Sequence, residues 1–255
     1  MKKRTVLALA LALMTMAASV YGAFAAFTNT YEKPIRQAEK IANAKPDDYD
    51  YEAVMSQTYG GLGKSELLTI AKVMQASDSF VDSVNAAHTH FSSMVETRAE
   101  AYGEDSMVKY TVQSKEDLPI AELKKAKDAL SKQGQQLIGL GDFFETLTDE
   151  QVVSITEAMN ITESDFDKLI NAVHQLGKKI TGVQVSAGYK LHLTRTITDV
   201  DENVLDTEEM DVTILNINGQ WLAYDYENGG GFMLDEDFDI SSPEIAQILE
   251  PLQNL

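Results

Sequence analysis

The residues whose types and spacing suit chemistry are a glycine-lysine-serine triplet, two acidic runs and four histidines. Gly63-Lys64-Ser65 ends like a phosphate-binding loop, in which backbone amides cradle phosphates and the lysine reaches them. The full pattern needs glycine where Thr58 stands and a strand where the spacing predicts a helix, so the triplet reads as a loop running into a helix cap. Asp199-x-Asp201-x-Asn203 opens like a calcium loop, but Val204 replaces the turn glycine and Met210 the closing bidentate glutamate. Asp235-x-Asp237-x-Asp239 repeats the half-match and fails at Ile240 and Ala246. These read as a solvated hairpin loop and an acidic tail. His88 and His90 stand two apart in a helical pattern and face opposite ways, so they cannot share a metal, and His88 is expected to be a half-buried packing residue. His192, on the polar side of a long strand, is the histidine suited to a pH-sensitive or binding role. There is no cysteine nucleophile or disulfide and no serine in a G-x-S-x-G elbow; no metal and no cofactor is expected.

Helices and strands must position these groups. Tyr31 to Ala44 carries Ile35, Ala38 and Ile41 on one side of a helix, and Tyr51 to Tyr59 takes a second. Ser65 is placed to cap a long helix reaching Tyr102, with Val73, Phe80, Val84, Ala87, Phe91 and Met94 as its apolar stripe. Period two begins at Met107, where Val108, Tyr110 and Val112 alternate with Lys109, Thr111 and Gln113. From Pro119 to Gly177 helical spacing returns: three or four helices, loosened between Gly134 and Gly141, restarted by a capping box at Thr148 and Gln151, begun again at Thr162 and stopped at Gly177. Val183, Val185, Ala187, Tyr189, Leu191, Leu193 and Ile197 then read as one face of a long strand that bends at Gly182 and Gly188. Met210 to Ile214 forms the next strand, and Asn218-Gly219 is a two-residue hairpin turn into Gln220 to Tyr224.

Lys2, Lys3 and Arg4, the apolar run to Val20 and Ala23-Phe24-Ala25 make a secretory leader over residues 1–26, with an uncleaved membrane anchor as the alternative. The exported part is strongly acidic, since the net charge of -19 already counts the basic leader. Nucleic acid is excluded as a partner on charge, and after leader cleavage no membrane insertion is expected. Residues 27–226 form the main domain, with a helical insertion over 119–177. Asn228-Gly229-Gly230-Gly231 opens a flexible hinge and an acidic tail over 227–255, where Ser242-Pro243 starts a short helix.

The helix at Tyr31 to Ala44, the strand at Met107 to Gln113 and the long strand and hairpin ending I-N-G-Q-W-L-A-Y-D resemble the nuclear-transport-factor-2-like superfamily, cystatin-like α+β cones. The resemblance is strongest to secreted, uncharacterised Gram-positive members. It implies an α+β fold in which a curled antiparallel sheet packs on a long helix, and a cone mouth lined by Tyr110, Tyr189, Leu191, His192, Trp221 and Tyr224. It also implies two kinds of function. One is a non-catalytic binding or scaffold module of the cell envelope, whose partner is a small molecule or an envelope protein. The other is a small-molecule isomerase or dehydratase, which needs an ionisable group in a dry cavity; no carboxylate lies within an apolar strand run here.

Overall fold

Local spacing becomes an α+β architecture in the computed structural model, which describes residues 25–26, 30–45, 62–76 and 78–224. The described helices are α1 (Lys33–Ala42), α2 (Lys64–Met74), α3 (Asp78–Tyr102), α4 (Ile120–Glu145), α5 (Asp149–Met159) and α6 (Glu163–Thr181). The strands are β2 (Met107–Asp117), β3 (Val185–Thr198), β4 (Val204–Ile217) and β5 (Gln220–Ala223), with a two-residue bridge, β1 (Ala25–Ala26), on the edge of β5. All pair antiparallel in the order β1-β5-β4-β3-β2. The helix expected at Tyr51 to Tyr59, most of the leader, and the hinge and tail lie outside the described residues.

The sheet is a meander whose tight turn is local chemistry. Asn218 and Gly219 have φ of 50° and 83°, the two positive values that a type I′ hairpin requires, and the Ile217↔Gln220 pair closes on them. Three register shifts interrupt the sheet, one of them beside Ile197 and Thr198, where β4 carries the extra residue. Of the other two, one lies between Val112 and Ser114 of β2 and one between Val185 and Ala187 of β3.

The β3 shift corrects the single-face reading of that strand. One extra residue reverses the alternation, so Val183 and Val185 join one core while Ala187, Tyr189, Leu191 and Leu193 join another on the opposite face. The larger core unites α2, α4, α5 and α6 with Leu215, Ile217, Leu222 and Tyr224. In it Leu130, Leu137, Phe144, Ile155, Phe166 and Leu169 are at most 1% exposed, and each contributes about 2 kcal/mol of transfer free energy. The smaller core lies under α1, centred on Ile35, Leu191, Leu193, Ile214 and Trp221. Asn43, just past α1, ties that helix to the sheet edge. Its side-chain amide donates to the Val108 carbonyl at 2.8 Å and its Oδ1 accepts the Val108 amide at 2.7 Å, as a neighbouring peptide would.

The capping box stands as read: the Thr148 amide donates to Gln151 Oε1 at 2.9 Å, and Thr148 Oγ1 accepts from the Gln151 amide. Thr162 caps α6 by one half of that pattern, its Oγ1 accepting the Asp165 amide at 3.1 Å. Other boundaries differ. The long helix to Tyr102 is two helices, α2 and α3, and Gly63 at φ 72° is the N-cap residue of α2, with Ser65 inside the helix. Along α3 the buried stripe passes through Phe91 and Val95, whereas Met94 is 45% exposed. The glycines at 134, 141 and 177 neither loosen α4 nor stop α6, because both helices run straight through them. They let α4 and α6 touch. A methyl group on Gly134 would lie 2.5 Å from the Thr181 amide nitrogen and 2.6 Å from the Gly177 oxygen; one on Gly177 would lie 2.7 Å from the Gly134 oxygen.

This crossing separates two otherwise similar substitutions in one helix. Gly134→Ala forces backbone apart and should lower the unfolding free energy by about 2 kcal/mol. Gly139→Ala meets nothing within 4 Å and should raise it by about 0.5–1 kcal/mol through helix propensity. Urea unfolding of both variants checks the opposite signs.

Candidate functional site

Four of the six residues expected at the cone mouth come together on the α1 face of the sheet. Leu191 is fully buried, Trp221 is 7% exposed, and Tyr110 and Tyr189 are partly buried against them. The Tyr189 ring stacks on Trp221 with centroids 4.9 Å apart and planes 13° apart, and Tyr31 meets Tyr189 edge-on at 5.6 Å. The β2 register shift adds a cation to this group. Simple alternation from Val112 would send Lys115 to the opposite face; the extra residue turns it back, and its Nζ lies 4.2 Å from the Tyr189 centroid and 4.6 Å from that of Tyr31. Aromatic faces carry negative charge density, so they hold the ammonium without a carboxylate.

The other two expected residues stand elsewhere. Tyr224 is 5% exposed in the helical core, because β5 places Leu222 and Tyr224 on the face opposite Trp221. His192 lies on that opposite face too, at its uncovered end. Its Nδ1 is hydrogen-bonded to Asp211 Oδ1 at 2.9 Å, its Nε2 is 3.7 Å from Glu209 Oε2, and Lys190 Nζ reaches Asp211 Oδ2 at 2.8 Å. The hydrogen bond to Asp211 raises the His192 pKa above its ordinary value, ahead of the Asp211 and Glu209 charges, while desolvation and Lys190 oppose. Hydrogen bonds from Lys190 and His192 hold the Asp211 carboxyl below its ordinary value. It is a surface charge ladder across two strands.

A third group was not anticipated. At the far end of the sheet the Tyr102 hydroxyl donates to Asp206 Oδ2 at 2.8 Å, joining the end of α3 to β4. Arg195 Nη2 lies 2.9 Å from Glu208 Oε2 and 3.6 Å from Asp206 Oδ2. Burial pushes the Tyr110 phenol above its ordinary pKa, with the Glu208 and Glu39 charges adding to the shift and Arg195 opposing it, so the phenol stays protonated. One turn before Tyr102 stands Arg98, whose Nε and Nη1 are shielded from solvent and have no hydrogen-bond partner among the described residues. Its signal in the sequence was a cation within the helical series Phe91, Val95, Arg98 and Tyr102, at steps of four, three and four.

The remaining motifs are structural. Glu66 Oε2 accepts from Lys179 Nζ at 2.6 Å; burial opposes its ionisation, but the bonds from Lys179, Ser65 and its own amide outweigh burial and lower its pKa. Gly63, the first residue of the phosphate-loop fragment, has no room for a side chain, since a methyl there would lie 2.4 Å from Leu176 Cδ1. Asp199 serves its own loop: Oδ1 accepts the amides of Asp201 and Asn203 at 3.0 and 2.8 Å, and Oδ2 the Asn203 side chain at 2.9 Å. His88 is exposed, correcting the packing role expected of it. His174 is instead the histidine at a packing seam. Its ring sits against Gly141, with Nε2 3.0 Å from Asp142 Oδ1 but out of hydrogen-bond alignment, and Nδ1 3.4 Å from Glu145 Oε1. No group of three or more metal-ligating side chains is found among the described residues. No family model, curated protein or solved structure matches the chain.

The His192–Asp211 pair predicts a pH window. A raised His192 pKa means its contribution is complete below its ordinary value of 6.5 and lost as pH rises through the raised value. A lowered Asp211 pKa means its contribution is complete above 3.8 and lost as pH falls through the lowered value. The pair therefore stabilises most between those two ordinary values. His192→Asn should flatten the fall in melting temperature as pH rises above 6.5. Parallel slopes for the two proteins in thermal melts would remove the histidine from that dependence.

Proposed function

We propose that this chain is an exported, non-catalytic binding or scaffold module of the cell envelope, built on a cone of the nuclear-transport-factor-2-like kind. The observation that carries the reading is the filled centre of the sheet's α1 face. An isomerase or dehydratase needs an acid or base standing free in a dry cavity. Here that position is taken by Leu191, by Trp221 and by the Tyr189 ring stacked on it. The cation that reaches the group, Lys115, lies over two rings, and His192 stands on the other face of the sheet. Side chains that fill a cone in this way serve as core, and recognition then falls to the rim and the outer surfaces.

Export is supported by Lys2-Lys3-Arg4, the apolar run and Ala23-Phe24-Ala25. No helix of the described residues is long and apolar enough to cross a membrane. An envelope protein or a small molecule remains the class of partner proposed.

Two measurements bear on the parts of this reading separately. N-terminal sequencing of material recovered outside the cytoplasmic membrane should begin at Ala26 or Phe27, and the intact leader in a membrane fraction would favour the anchor. Trp221→Ala should lower the unfolding free energy by about 3 kcal/mol, as loss of a buried aromatic core residue does. An unchanged unfolding midpoint would show an open, ligand-accepting centre and return the enzyme reading to first place.

A further inference from the structure

Arginine is the most expensive side chain to shield from water without a counter-charge, because it cannot shed its proton at any physiological pH. Of the three arginines among the described residues, two have carboxylate partners. Arg36 Nη2 lies 3.2 Å from Glu32 Oε2, and Arg195 Nη2 lies 2.9 Å from Glu208 Oε2. Arg98 has none among the described residues, although its Nε and Nη1 are shielded from solvent. Burial alone acts on its pKa, lowering it, with no neighbouring charge entering.

The position of Arg98 is not that of a surface residue folded inward by chance. Phe91 and Val95 precede it on the same side of α3, at 5% and 8% exposure, and Tyr102 follows it one turn later with its hydroxyl on Asp206 of β4. The guanidinium thus occupies the row of α3 that carries the buried Phe91 and Val95, where an apolar residue is the ordinary choice. Acidic groups are abundant in this chain, and the two of β4 nearest Tyr102 are engaged by others, Glu208 by Arg195 and Asp206 by Tyr102 and Arg195.

We propose that Arg98, on the row of α3 that carries Phe91, Val95 and Tyr102, binds a small monocarboxylate, whose carboxylate accepts hydrogen bonds from the guanidinium. A planar carboxylate matches an edge of the guanidinium with two parallel bonds. One negative charge fits better than two, because a single guanidinium offsets one charge and a dianion such as phosphate would bring the second into the shielded site unpaired. Phe91 and Val95 precede the guanidinium on its side of α3 and Tyr102 follows it, so the acid carries a short apolar or aromatic body. The site gives the binding module its ligand class and rests on that reading, but it fails separately: an unresponsive Arg98 would remove the ligand and leave the Trp221 result untouched.

Benzoate is the probe. Thermal melts of the purified protein in increasing benzoate, against sodium chloride at equal ionic strength, should show a dose-dependent rise of several degrees that inorganic phosphate does not reproduce. Arg98→Met should abolish the rise, and its own melting temperature should be no lower than that of the wild type, because the substitution removes an uncompensated charge. Arg98→Lys, which keeps the charge without the planar edge, should need about tenfold more benzoate for the same rise. Arg36→Met, the exposed control, should respond as the wild type does. No rise with benzoate, an equal rise with phosphate, a rise that persists in Arg98→Met, or an Arg98→Met protein that melts well below the wild type or does not fold would each overturn the assignment.

Discussion

The extra residue in β3 between Val185 and Ala187 is the constraint on which the arrangement of this protein turns. A strand has a side-chain period of two, so a run of alternating apolar residues can serve only one face unless the register slips. The slip hands Val183 and Val185 to the helical core and keeps Tyr189, Leu191 and Leu193 for the core under α1. One strand thereby anchors both layers, and neither could be repositioned without moving the other. The matching slip in β2 brings Lys115 onto the aromatic group, so the same device that bends the sheet also sets the charge at its centre.

Close backbone approach does comparable work among the helices. At Gly134 and Gly177 the two longest helices between β2 and β3 meet without side chains between them, and Gly188 of β3 leaves room for Leu118, Leu123 and Leu215. A methyl group on Gly188 would come within 2.6–2.8 Å of all three leucines. This helical layer is therefore keyed to the sheet at a second point, beyond its covalent joins to β2 and β3. Interiors packed at this density transmit displacement instead of absorbing it, which makes the helical layer a rigid backing for the sheet.

Charge is distributed in a way that follows from these two layers. The uncovered end of the sheet's helical face carries Lys190, His192, Glu209 and Asp211 as a cross-strand ladder that water can screen, so each pair in it adds little to stability. At the far end of the sheet, where α3 reaches β4, the charges are partly withdrawn from water and their pairing matters more. Arg195 is neutralised by Glu208 there. Arg98, a turn away from Tyr102, is the exception that gives that end a chemical preference.

Helix starts at Thr148 and Thr162, the Asn218-Gly219 turn, the α1 amphipathic face and the alternation of β2 were all determined by the sequence itself. Each depends on groups within about four residues of one another, where backbone geometry and hydrogen bonding leave few choices. Of the candidate site, Tyr110, Tyr189, Leu191 and Trp221 were legible as one apolar set because each belongs to an alternating run. The rest was decided only in three dimensions. Tyr224 and His192 left the set because strand parity assigns faces only once the register between strands is known. Gly134 and Gly177 read as breaks because the same absence of a side chain weakens an isolated helix and permits a tight crossing, and only the partner helix distinguishes the two. Arg98 reads as an ordinary helix residue until the tertiary structure shields its Nε and Nη1 and leaves them without a hydrogen-bond partner among the described residues.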